Sequence, residues 1–240
     1  MVAMVVAEPS APRAARAPDR RPRIVLLDVF GTMLQVTVLR SRFVDVGRPE
    51  HECDLFFARA LRSGIALTLA GPTRPFVLHA REALRSTTGH NLSEEALDHV
   101  LDGLHSLPPH ADVELALVGL ARARIPVYAF GYGSTDGVAA ALDRAGLRTY
   151  LRGIVSTDDV GVFRPAARAY LSVCRQLHAE PERTAMLSVH SWDVHGALRT
   201  GLVGGLATRL EGGVPATIDP PHAHATRLDD LVERLIELPA

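Results

Sequence analysis

An aspartate closing an apolar run, a hydroxyl four residues on, and a histidine three residues before a second aspartate are the groups here best suited to chemistry. The first is Asp28, in Arg23-Ile-Val-Leu-Leu-Asp-Val-Phe-Gly-Thr-Met-Leu34. A carboxylate can attack carbon or phosphorus and form an ester that water later hydrolyses. Thr32 can orient that carboxylate through its hydroxyl, or bond its own backbone in a turn. In Ser188-Val-His-Ser-Trp-Asp193, the imidazole of His190 beside Asp193 can act as a general base near neutrality. Asp193 can orient the site, cap a helix, or do both. His195 follows five residues after His190, as a second site histidine or an ordinary surface one.

These groups need elements to hold them. A short apolar run bounded by Gly31-Thr32 reads as a buried parallel strand that delivers Asp28 to its carboxyl end, where open α/β sheets bind ligands. From there to about residue 112 the spacing is helical, over Asp54–Leu67, over Pro75–Ser86, and from Ser93 as a cap. Ile65–Leu69 fits a strand or a helix, and Pro108-Pro109 closes the segment. Beyond residue 113 strands alternate with helices. Strands are expected at Ile125–Phe130, Gly153–Ser156, Thr184–His190 and Val203–Thr208. Helices are expected at Asp136–Ala145, Ala166–Leu177, Asp193–Thr200 and Leu228–Leu238. The pattern predicts an α/β fold with a doubly wound parallel sheet and a helical insertion after the first strand.

Composition narrows the function classes. At 47% hydrophobic and 22% charged residues the chain can bury one sizeable core. A net charge of −1 argues for neither a nucleic-acid partner nor an anionic membrane surface. No window approaches the ~20 apolar residues of a membrane span. Cys53 and Cys174 lie far apart without metal or redox spacing and read as reduced thiols of a cytoplasmic protein. Residues 1–22, rich in Ala, Pro and Arg, read as a disordered extension. There is no lysine, and all 26 basic residues are arginine.

Three stretches resemble the haloacid dehalogenase-like superfamily, closest to its type II 2-haloacid dehalogenase branch. They are Asp28-Val-Phe-Gly-Thr32, Ser156-Thr-Asp-Asp-Val-Gly-Val-Phe-Arg-Pro165 and Ser188-Val-His-Ser-Trp-Asp-Val-His-Gly-Ala197. The resemblance implies a Rossmann-like core over 23–36 and 113–240, with a helical cap over 37–112. It implies that Asp28 is the nucleophile and that Thr32, Tyr170, Ser188 and Asp193 surround it. Arg164 stands where the family has a lysine, and keeps its charge while adding a fork of donors. His190 stands for a family asparagine that positions water. Arg59 falls about where the family has an arginine that accepts halide, with Arg62 as rival.

The resemblance also exposes departures. The family's phosphatases carry a second aspartate two residues after the nucleophile; here that residue is Phe30. Their magnesium needs a further acid, where Ser188 and Val189 stand, and two carboxylates are few for a hard cation. The expectation is no metal, no cofactor and no phosphatase activity. The family's Ser-Asn-Gly substrate grip becomes Gly131-Tyr132-Gly133-Ser134, so Tyr132 reshapes the pocket and Ser134 offers a displaced hydroxyl. The functional expectation is a metal-independent hydrolase acting on a small molecule. The alternatives are an isomerase, cyclase or epoxide-opening enzyme of a biosynthetic pathway using Asp28, His190 and Tyr132, or a non-catalytic binding protein. The apolar helices of the cap are compatible with a homodimer.

Overall fold

The computed structural model describes residues 21–240. The strands are β1 (Ile24–Asp28), β2 (Val127–Gly131), β3 (Gly153–Ser156), β4 (Thr184–Ser188), β5 (Val203–Ala207) and β6 (Ala223–Ala225). All pair in parallel, in the order β3-β2-β1-β4-β5-β6. Strand order reverses between β1 and β4, so the crevice at their carboxyl ends is the fold's natural ligand position. Asp28 ends one of these strands and Ser188 the other.

The helices are α1 (Arg40–Asp45), α2 (Glu52–Ala70), α3 (Phe76–Thr87), α4 (Glu94–Asp102), α5 (Val113–Arg122), α6 (Thr135–Arg144), α7 (Thr157–Val160), α8 (Ala167–Gln176), α9 (Ser191–Arg199) and α10 (Leu228–Ile236). Side chains alternate across β1, and each face has its own cover. Val25 and Leu27 join a core that includes Val113, Leu117 and Leu231 of α5 and α10. Leu26 faces the other way, onto Tyr170, Val173 and Cys174 of α8 and Ala197 of α9. Both cysteines are free and buried, and burial pushes the Cys53 thiol up to about 12.

Helices α1 to α4 form the insertion between β1 and β2. Ser93 caps α4 by accepting from the Ala96 amide. α2 and α3 pack against each other, and α2 seats closely on the core through Gly64. A methyl group there would enter the Phe163 ring, so no larger residue allows this approach.

Several expectations need correction. Ile65–Leu69 is helical, as part of α2, whose periodicity continues unbroken through it. β4 stops at Ser188, because the Ser188 hydroxyl accepts from the His190 amide and turns the chain into α9. A sixth strand, Ala223–Ala225, is too short to have announced itself. The extension expected over 1–22 lies mostly outside the described residues, but Arg21 is not part of it. Its amide donates to Pro239 O at 2.6 Å and its guanidinium to Ala123 O at 3.4 Å. Among the described residues, no helix is long and apolar enough to cross a membrane.

Candidate active site

Asp28 is wholly buried, and its two oxygens have different partners. Oδ1 accepts from Arg164 Nη2 at 2.7 Å. Oδ2 accepts from the Thr32 hydroxyl at 2.6 Å and from Ser188 at 3.4 Å. Gly31 has φ +84°, which lets the turn after Asp28 bring Thr32 back over the carboxylate. The Thr32 oxygen also accepts from the Val189 amide at 3.0 Å, so its hydroxyl proton is left to point at Asp28. Thr32 thus bonds both the Asp28 carboxylate and the chain leaving β4.

Arg164 is the centre of the arrangement. Its guanidinium joins the two buried carboxylates, giving Nη1 to Asp193 Oδ2 at 2.5 Å and Nη2 to Asp28. The rings of Phe130 and Tyr132 both lie 4.6 Å from its central carbon, and a flat, weakly hydrated cation suits such stacking. Burial works against the charge, but Asp193, Tyr132 and Asp28 together hold the guanidinium protonated well beyond its ordinary range. Burial also pushes the Asp193 carboxyl up, only partly offset by Arg164. Tyr170 donates to Asp193 Oδ1 at 2.6 Å. The guanidinium occupies the position between the carboxylates that a bridging cation would take. The residues present therefore do not fit a hard metal ion, and among the described residues no group of three acidic, histidine or cysteine side chains gathers as one.

Aromatic rings close the space above. Phe76 stacks on Phe30 at 5.9 Å and lies 5.7 Å from Tyr132, which meets Phe163 at 5.2 Å. The Tyr132 hydroxyl is buried without a hydrogen-bond partner, and burial pushes its pKa up. A family-type serine at 131 is excluded by packing, because a Cβ there would sit 2.7 Å from Val138.

A cavity of about 800 Å³ opens beside this layer. Its floor includes Gly31, His110, His190 and Arg209, and one wall is α2. His190 links the cavity and Asp28. Nε2 lies 3.9 Å from Asp28 Oδ2 and 3.4 Å from Phe30 O, and the ring stacks on Trp192 at 5.1 Å.

The structure thus gathers Asp28, Thr32, Arg164, Ser188, His190, Asp193, Phe30, Tyr132 and Tyr170. Of these only His190 lines the cavity: Ser188 and Tyr170 support the carboxylates, and Phe30 and Tyr132, expected to contact substrate, belong to the aromatic layer beside it. Two expected site residues lie elsewhere. Arg59 turns along α2 towards α3 and donates to Ser86 O and Thr87, whereas Arg62 lines the cavity. Ser134 is exposed and caps α6 by accepting from the Gly137 amide. His195 accepts from the Asp219 amide and serves that loop. Trp192, His110 and Arg209 line the cavity unforeseen. The last two sit on connections whose path no local pattern reveals, whereas Trp192 lay inside the third matching stretch.

A family model described as haloacid dehalogenase-like hydrolase matches residues 22–201. The chain is a member of that family. Its relatives are dehalogenases rather than phosphatases. The (S)-2-haloacid dehalogenase 1 of Pseudomonas sp. (strain CBS-3) is 25% identical over 221 residues, covering 90% of this chain and 97% of its own. The (S)-2-haloacid dehalogenase 4A of Burkholderia cepacia is 27% identical over 75% of this chain and 80% of its own. Among solved structures, the L-2-haloacid dehalogenase of Xanthobacter autotrophicus superposes with a TM-score of 0.80 at 22% identity, covering 88% of this chain and 97% of that one. At that identity the likeness shows this hydrolase family's fold, which the six-stranded parallel sheet shares.

Proposed function

We propose that this hydrolase displaces halide from a 2-haloacid without a metal, using Asp28 as nucleophile. The observation that carries the reading is the Asp28–Arg164–Asp193 bridge at the crevice between β1 and β4. A fixed cation bonded to the carboxylate balances its charge and holds it aimed, which is what a nucleophilic carboxylate needs.

In the first step Asp28 Oδ2, the oxygen nearer His190, attacks C2 of the substrate. The carbon–oxygen bond forms as the carbon–halogen bond breaks, and halide leaves with the electron pair. In the second step water attacks Cγ of the Asp28 ester and gives its proton to His190. The ester bond then breaks, His190 returns the proton to the departing alkoxide, and a 2-hydroxyacid leaves; the carboxylic acid left at Asp28 passes its remaining proton through His190 to water, which restores the carboxylate. The helices over 37–112 act as a cap over the site. His190, at the cavity floor, must swing aside to admit the reacting carbon, since Asp28 itself is fully buried.

The test is halide release from a panel of 2-chloro and 2-bromo acids. The native chain releases halide, and Asp28→Asn lowers the rate by about 10⁴-fold or more. Equal release by both proteins, or none from any member, overturns the reading.

A further inference from the structure

The cavity beside Asp28 is far larger than a two- or three-carbon acid requires, and its polarity is graded. At the Asp28 end stand His110, His190 and Arg209. Arg209 donates to the Thr32 carbonyl and, at 2.5 Å, to Asp112, which balances its charge and fixes it at this end. Away from that end the wall is apolar, built by Phe57, Leu61, Ile65 and Leu69 of α2. These recur at helical spacing on one face. The lining from Asp54 to Leu69 follows about 22 Å of helix. Two further charges line the wall. Asp54 is neutralised by Arg40 at 2.7 Å, and Arg62 has no ion-pair partner among the described residues. Leu69, at the far end, is 87% exposed, an apolar group that a ligand would cover.

We propose that this cavity takes the apolar tail of an amphipathic monocarboxylic acid, with its carboxylate towards the cavity's arginines, Arg62 above all, and its tail along α2 towards Leu69. The inference deepens the proposed reaction and rests on it for the substrate's reactive end. It narrows the substrate class from small 2-haloacids to those with a tail of roughly eight carbons or more, given the length of α2 that lines the cavity.

Trp192, the chain's single tryptophan, lines the same cavity and stacks on His190, so its fluorescence reads occupancy without turnover. The experiment titrates the full chain with unhalogenated hexanoate, decanoate and tetradecanoate, with decylamine as the charge-reversed control. Affinity should rise by up to about fourfold per added methylene, the factor expected for burying each in an apolar wall. Decylamine should bind at least about tenfold more weakly than decanoate, because its ammonium meets Arg62, the lining cation without an ion-pair partner among the described residues. Leu69→Asp, at an exposed position the fold tolerates, should remove the gain between decanoate and tetradecanoate. Affinity indifferent to chain length, or decylamine binding as tightly as decanoate, overturns the proposal. So does a dimer that covers the cavity, seen by light scattering as a concentration-dependent mass lost in Leu69→Asp, with no fluorescence response to any acid. Because these acids carry no halogen, failure here is separable from failure of the reaction. Halide release with no chain-length effect sinks only the tail site, and graded binding with no halide release sinks only the chemistry.

Discussion

Arg164 ties the two buried carboxylates of the site together. Its guanidinium is the fixed positive group that bridges Asp28 and Asp193, and all three side chains are fully buried. Arg164→Ala leaves two carboxylates uncompensated and should destabilise the fold by about 3–5 kcal/mol, read by urea unfolding. Arg164→Lys keeps the charge, but an ammonium is a point donor that cannot hold both oxygens in a fork. It should fold and lose most of its halide release, whereas wild-type rates in this variant would mean that the bridge is not needed. At this scale the sequence was informative where spacing is local. Asp28 and Thr32 lie on one turn, and His190 and Asp193 share one strand–helix junction, so their proximity follows from short chain segments. Arg59 was misplaced because helical spacing marks an amphipathic face without saying which neighbour it meets. The face carrying Arg59 meets α3, and the one carrying Arg62 meets the cavity.

Helix α2 is the element on which the site's closure depends. It seats on Phe163 only where residue 64 has no side chain. Gly64→Ala gains helix propensity worth up to about 1 kcal/mol. It forces the Phe163 ring away at a cost of about 1–3 kcal/mol. Because Phe163 packs on Tyr132 and Phe76, the net loss in Tm should come with a larger fractional loss of activity. A second prediction concerns two histidines of this region, one buried and one half-buried. His79 lies between Ser63 and Thr73, which tie α2 to α3, and His110 is on the cavity floor. Burial lowers both pKa values, aided at His110 by Arg209. Below histidine's ordinary pKa of about 6.5 the unfolded chain takes up protons that these two refuse in the native state. Their stabilisation is therefore complete above that pH and is lost as pH falls below it. The Tm drop from about pH 7.5 to about pH 5.5 should be larger in the native chain than in the His79→Gln, His110→Gln double variant. An equal drop would assign the acid sensitivity to other groups.

The whole molecule reads as a sheet whose switch point is fixed by topology, with helices packed on both of its faces. The alternation of strands and helices after residue 113 made the sheet legible, because parallel strands buried on both faces are continuous apolar runs. β6, of three residues, escaped because it owes its place to pairing with β5 rather than to its own pattern. The cavity was not legible at all. Its walls come from the segment after β1, from α2, from the connection at His110, from the start of α9 and from the loop at Arg209, and no local pattern brings five such segments together.

The central claim is that Asp28 becomes covalently bound during turnover. It is tested by running the reaction to many turnovers in water labelled with the heavy isotope of oxygen, then weighing the peptide that contains Asp28. Attack of water on Cγ of the ester leaves the label in the Asp28 carboxylate, so that peptide should gain mass and Arg23–Leu34 fragments should locate the gain at Asp28. Label appearing in every product molecule from the first turnover, with Asp28 unlabelled, would mean that water attacks the substrate directly and that Asp28 is not the nucleophile.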